Sequence, residues 1–326
     1  MMGQDVFIID RLLSSSGRYL SYLFLVPDKT DAWKQHKLEI VVFDTENKNV
    51  YKPDIPDIMR IVKWKNDGES LFITTRGKNR ELLGEWNPET GKIATLRELP
   101  ADCLQFSISP DENYSSYFRM PEMEKTHVNS ISAFGSKLLN RLSGLPFLSG
   151  LSNEEIKEFD FLICPFDSND AVQTKTKLKG RIFEWIGDKE LAGQVRDYLV
   201  IFNAETQQTA RIPWNSNDII IEFFSVENEI LFIAGNGRVF IIERSTLQIK
   251  KTGFSSVCRI IGARNNCYVY EKMNGDTPCI YEWDGKKERL ITKSGIQSSA
   301  VYIKDRDVCC FIDENELKIR IEPILR

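Results

Sequence analysis

The chain has 326 residues, with 43 Lys and Arg against 47 Asp and Glu for a net charge of −4. So small a balance excludes a molecule-wide electrostatic grip on nucleic acid or an anionic membrane surface. Aromatic residues make up 11% beside 19 Gly and 12 Pro, which favours a packed globule over a disordered chain. At this length a fold buries roughly three-quarters of its unfolded surface and needs no disulfide or metal for stability.

The opening run MMGQDVFIIDRLL mixes acidic with apolar residues and lacks a basic leader, so it is not expected to be a signal peptide. No apolar stretch approaches the ~18 residues of a membrane span, so a soluble protein is expected. Cysteines 103, 164, 258, 267, 279, 309 and 310 are odd in number, and several lie in apolar runs such as Val308-Cys-Cys-Phe-Ile312. Reduced, buried thiols in a cytoplasmic protein are the expectation.

In chain order, hairpins recur with one plan. An apolar strand ends in an acid or amide, a polar turn follows, and a second strand returns. The copies run Ile40-Val-Val-Phe-Asp44, Leu83-Gly-Glu-Trp-Asn87, Leu199-Val-Ile-Phe-Asn203, Val239-Phe-Ile-Ile-Glu243 and Ile280-Tyr-Glu-Trp-Asp284. Spacings between these anchors are 43, 116, 40 and 41 residues, so three of four fall at one unit length. The anchor side chain is expected to accept N–H groups of its own turn, a structural duty.

Upstream of these hairpins lies another turn signal: Ser14-Ser-Ser-Gly17, Lys65-Asn-Asp-Gly68, Ser109-Pro-Asp-Glu112 and Val226-Glu-Asn-Glu229. Two hairpins per ~40 residues make a four-stranded antiparallel sheet, the blade of a propeller. The clearest copy is Arg60 to Leu96. Phe106-Ser-Ile-Ser-Pro-Asp-Glu-Asn-Tyr114 and Trp86-Asn-Pro-Glu-Thr-Gly91 resemble the turns of TolB-like and WD-repeat-like β-propellers. In that pattern Glu112 stands where the family has Gly, and Trp-Asp occurs only as Trp283-Asp284.

The fold expected is therefore all-β, a single propeller domain over residues 1–326 built of four-stranded antiparallel blades. Seven blades are favoured, with six the alternative. The 116-residue gap is read as about three units, with Phe161-Leu-Ile-Cys-Pro165 as one further copy. The last unit lacks a clear fourth strand, and a strand near Asp5 to Ile9 is expected to complete it.

Residues 120–157 are read as a helical insertion. Ile131, Phe134, Leu138, Leu142 and Leu145 recur at helical spacing, and Gly144 and Pro146 end the pattern. Ser152 and Glu155 have capping-box spacing for a second helix. The insertion either covers the rim or presents Phe134, Leu138, Leu142, Leu145, Phe147 and Leu148 to a partner protein.

Local signatures of catalysis are missing from the sequence. The two histidines, His36 and His127, form no ligand pair, and no Cys-x-x-Cys, Gly-x-Ser-x-Gly or phosphate-binding glycine loop occurs. Asp167-Ser-Asn-Asp170 lacks the spaced acids of a calcium loop and is read as a turn. Lys175, Lys177, Lys179 and Arg181 share one face of a strand without the aromatic residues of a nucleic-acid platform. Arg60, Lys63 and Asp102 are candidates for charges facing the central channel. The leading functional expectation is a non-catalytic module that binds another protein, with no cofactor and no metal. The alternatives are a hydrolase or lyase using carboxylates from several blades, and a small-ligand sensor.

Overall fold

The computed structural model describes residues 7–27, 36–55, 57–119, 159–167, 176–214, 218–265, 267–313 and 318–324. It is all-β. The strands form seven antiparallel sheets, each a meander of consecutive strands. The first holds β1 (Phe7–Leu13), β2 (Tyr19–Pro27), β3 (His36–Asp44) and β4 (Val50–Tyr51). The second holds β5 (Ile58–Trp64), β6 (Leu71–Arg76), β7 (Glu81–Trp86) and β8 (Ile93–Glu98). The third holds β9 (Cys103–Ile108), β10 (Tyr114–Arg119), β11 (Phe159–Pro165) and β12 (Thr176–Gly180). The fourth holds β13 (Ile182–Trp185), β14 (Glu190–Val195), β15 (Tyr198–Asn203) and β16 (Thr209–Pro213).

The fifth sheet comprises β17 (Ile220–Val226), β18 (Glu229–Ala234), β19 (Val239–Glu243) and β20 (Ile249–Lys251). The sixth comprises β21 (Val257–Arg264), β22 (Cys267–Asn274), β23 (Thr277–Trp283) and β24 (Glu288–Lys293). The last comprises β25 (Val301–Ile303), β26 (Val308–Ile312) and β27 (Ile319–Pro323). This is the strand plan of a seven-bladed β-propeller, and seven rather than six is the blade number.

The expected closing strand is corrected. β1 pairs with β2, Phe7 opposite Leu25 and Leu13 opposite Leu20, and so opens the first sheet. Among the described residues the last sheet has three strands. The expected insertion, 120–157, lies outside the described residues, between β10 and β11.

The anchor residues of the outer hairpins do what their chemistry suggests. Asp44 Oδ1 accepts N–H groups of Glu46 and Asn47 at 2.9 and 3.0 Å. Asn203 Oδ1 accepts those of Glu205 and Thr206 at 3.0 and 2.9 Å, and Asp284 Oδ1 those of Lys286 and Lys287 at 2.8 and 2.7 Å. Each acceptor replaces water for turn donors that the strand ladder cannot reach.

The chain divides into two compact units, Met1–Tyr117 with Cys164–Thr174, and Phe118–Ile163 with Lys175–Arg326. In the first unit, Trp64 packs among Tyr19, Leu23, Ile40, Ile61, Leu71 and Trp86. Its ring stacks on Tyr19 at 5.4 Å between centroids, and its Nε1–H donates to Leu12 O at 3.1 Å. An indole supplies large apolar area while its one polar group is satisfied. In the second unit, Phe232 stacks on Phe240 at 5.2 Å and meets the edge of Trp214 at 5.0 Å. Phe183 stacks on Phe161 at 4.6 Å and lies against Gly193 and Gly180, where a Cβ would collide with its ring.

Second strands are buried on both faces, and so read in sequence as unbroken apolar runs such as Ile230-Leu-Phe-Ile-Ala234. Fourth strands such as β8 and β24 face solvent. First strands lie on the opposite side of their sheets. Within the first unit β5 packs against β1 and β9; within the second, β17 packs against β13 and β21, and β21 against β25.

Candidate functional site

First strands carry a recurrent irregularity. Ladder register shifts between Ile8 and Asp10, Ile58 and Arg60, Ile220 and Glu222, and Val257 and Arg259. At each such bulge two residues oppose one on the partner strand, which re-aims the side chains beside it. The burial pattern then becomes one buried residue, two partly exposed, one buried, instead of strict alternation.

A polar residue follows the bulge, or stands at the equivalent place, on five first strands: Asp10, Arg60 and Gln105 in the first unit and Glu222 and Arg259 in the second; β13 pairs without a bulge, has Ile182 at that place and carries Glu184 two residues further on. In the second unit they interact. Arg259 Nε lies 3.1 Å from Glu222 Oε1, joining β21 to β17, with both side chains about one-fifth exposed. Glu184 Oε2 accepts the Phe223 N–H at 2.8 Å, joining β13 to β17. Two carboxylates and a guanidinium on three consecutive strands can hold and transfer a proton and neutralise a developing negative charge. Cys258, beside Arg259, is a poor nucleophile. Burial, reinforced by the Glu271 carboxylate, pushes its thiol up to about 11, so it stays protonated near neutral pH.

The channel-facing candidates are placed differently. Arg60 turns back within its own sheet to pair with Glu81 of β7, which also accepts from Thr74 of β6. Lys63 reaches the β9–β10 turn, donating to Glu112 Oε1 at 3.1 Å and Pro110 O at 2.5 Å. Both are structural ties. Asp102 immediately precedes β9 and is partly exposed. On β12, Lys177 and Lys179 are exposed, as expected for one wet face, and Lys177 pairs with Asp160 at 2.7 Å. Lys175, His127, Ser152, Glu155 and residues 168–170 lie outside the described residues. So do Phe134, Leu138, Leu142, Leu145, Phe147 and Leu148. His36 opens β3.

Glu271 of β22 is fully buried, accepting Ser294 Oγ–H at 2.7 Å and Ser298 N–H at 2.9 Å. Gln194 of β14 bonds Ile220 N and Asp218 O in the same manner. Both side chains latch the segment leading into the next first strand. Among the described residues no three His, Cys, Asp or Glu side chains are grouped to hold a metal ion, and no helix is long and apolar enough to cross a membrane.

A second polar surface lies where the β18–β19 turn meets the linker from β20 to β21. Asn236, Arg238, Lys251, Thr252, Gly253, Phe254, Ser255 and Ser256 line an open cleft of about 850 Å³.

The recurring bulge side chains were legible only by aligning first strands with one another, because a bulge breaks the two-residue period.

No protein-family model and no curated protein sequence matches the chain. Solved structures do match it. Acylaminoacyl peptidase of Pyrococcus horikoshii is similar over 97% of this chain and 50% of its own, at 11% identity and a TM-score of 0.62. Oligogalacturonate lyase of Vibrio parahaemolyticus is similar over 97% of this chain and 90% of its own, at 10% identity and 0.61. The Swd1 β-propeller domain of Myceliophteria thermophila is similar over 100% of this chain and 98% of its own, at 13% identity and 0.56.

The fold is a seven-bladed β-propeller, and the Swd1 domain it resembles is a β-propeller too. The chain spans about half the length of the peptidase it matches. The expectation of a non-catalytic interaction module is corrected by these likenesses, since a peptidase and a lyase are among the structures that share the propeller. Missing local motifs do not argue against catalysis in such a fold. A site assembled from several blades leaves none.

Proposed function

We propose that this propeller is a hydrolase or lyase whose polar chemistry is carried by the first strands of the second unit. The observation that carries the reading is the Glu222–Arg259 pair at equivalent positions of β17 and β21, with Glu184 of β13 bonded to the same strand as Glu222. Glu222 is the general acid or base, and Glu184 fixes the neighbouring strand through the Phe223 N–H. Arg259 orients Glu222 and steadies negative charge on the substrate. The likeness to a peptidase and a lyase supports the class without naming the bond that is broken. All seven cysteines are free thiols, which supports a reducing, cytoplasmic setting.

A second reading is favoured by the half-length match to the peptidase. In it, the propeller admits substrate to a hydrolase domain that lies outside this sequence.

Purified protein assayed against N-acylated amino-acid anilides and against oligogalacturonates separates the two. Under the first reading the chain alone turns over one class, and Glu222→Gln lowers kcat by a factor on the order of 100 or more with an unchanged Tm. Absence of turnover on both classes removes the first reading and leaves the second.

A further inference from the structure

We propose that the cleft between the β18–β19 turn and the β20–β21 linker is an oxyanion site, binding the carboxylate or phosphate of a small-molecule ligand. The proposal stands on the cationic and donor groups that line the cleft. Lys251 is exposed at the end of β20 and makes no ion pair among the described residues. Arg238 shares its Nη2 with Asp218, yet its Nε is buried without a hydrogen-bond partner. The Arg238 side chain is 40% exposed and lines the cleft, so its positive charge acts on a ligand there.

The linker adds neutral donors. The N–H groups of Gly253, Phe254, Ser255 and Ser256 make no hydrogen bond within the described residues, whereas those on either side do. Thr252 N donates to Val239 O at 3.2 Å and Val257 N to Gly237 O at 3.0 Å. Ser256 holds a left-handed conformation at φ +61°, and Gly237 at φ +72° packs so closely on it that a Cβ would lie 2.9 Å from Ser256 Cα. The linker is therefore held in place by the neighbouring turn. Successive N–H groups left unbonded in a bend can form a concavity suited to an anion. The hydroxyls of Ser255 and Ser256 complete the donor set, and the open cleft of about 850 Å³ leaves room for a small molecule.

Charges of both signs flank the cleft. Asp218 is the acid beside it, and its carboxylate is occupied by Arg238 and by Asn236 Nδ2 at 3.1 Å. With Arg238 and Lys251 against one carboxylate, the surface remains cationic. The linker runs directly into β21, whose third residue is Arg259. A ligand anchored by its oxyanion here thus lies at the end of the strand that bears Arg259. Binding itself does not depend on catalysis.

Isothermal titration of the full chain with inorganic phosphate and, separately, with galacturonate tests the site. The expected result is binding of at least one anion, weakened by added salt. Lys251→Glu, a change on an exposed side chain, should weaken it about fivefold or more while leaving Tm unchanged. Preference for phosphate or for galacturonate identifies the source of the oxyanion. Ser255→Pro, which removes one linker N–H, should also weaken binding. No heat with either anion at millimolar concentration, or equal affinity in wild type and Lys251→Glu, overturns the proposal. The titration needs no turnover, so its failure is distinct from failure of the catalytic reading.

Discussion

Glu112 accepts a hydrogen bond from Lys63 at 3.1 Å while its own backbone sits at φ +61°, a region that favours glycine. At the same place in the first two sheets, Gly17 and Gly68 adopt φ +71° and +74°. The carboxylate also accepts the Asn66 N–H at 2.6 Å, so the residue ties the second sheet to the third.

Glu112→Gly relieves about 1 kcal/mol of backbone strain and forfeits charge-assisted hydrogen bonds worth roughly 1.5–3 kcal/mol. The expected net effect is a loss of about 1 kcal/mol, read from the urea midpoint. A midpoint above that of wild type would show that strain is the larger quantity.

Gly193→Ala places a methyl group against the Phe183 ring, which is already stacked on Phe161. Overpacking of this kind costs about 1–3 kcal/mol. The partner change Phe183→Leu, which removes the ring contact and leaves the one with Ile182 O, should recover part of the loss in the double variant. Additive losses would place the strain elsewhere.

Asp44 carries the pH dependence of the first sheet. Burial alone would raise its pKa, but the Arg18 guanidinium and the N–H groups of Asn47 and Glu46 outweigh burial and hold it at about 2. The folded value lies below the unfolded one of about 3.9, so the stabilisation is complete above pH ~4 and lost as pH falls through 2. Asp44→Asn should therefore lower Tm near neutrality, and the gap to wild type should close between pH 4 and 2. A gap constant across that window would remove Asp44 as the titrating group.

Arg264 is nearly fully buried, with Nη2 at 2.9 Å from Asp307 Oδ2, Nε at 3.6 Å from Glu282 Oε1 and Nη1 donating to Ile324 O at 3.3 Å. Arg264→Met leaves those acceptors without it and should cost about 3 kcal/mol. Amide exchange should accelerate most in β27, just before Ile324. Uniform acceleration would mean that Arg264 does not hold the C-terminal strand specifically.

Much of the fold was legible because its information is local. Asp44, Asn203 and Asp284 organise turns from within three residues, and the apolar runs of the second strands report burial on both faces. The closing strand is not legible because partner choice between distant strands is not written in either one, and Phe7–Leu13 satisfies its pairing with the hairpin that follows. The polar row was hidden by bulges. The cleft was hidden by register, since Lys251 comes near Arg238 only through the pairing of Phe240 with Lys251.

Every sheet is a meander, so in six of the seven the next strand follows its partner closely along the chain. During synthesis such a sheet can zip hairpin by hairpin as it emerges, with little loop-closure entropy opposing each step. The third is different: β10 ends at Arg119 and β11 begins only at Phe159. Its outer half must wait for a long stretch of intervening chain, leaving the edge of β10 unpaired in the nascent polypeptide. The third sheet is thus where folding should lag, and where a chaperone would find its longest opportunity.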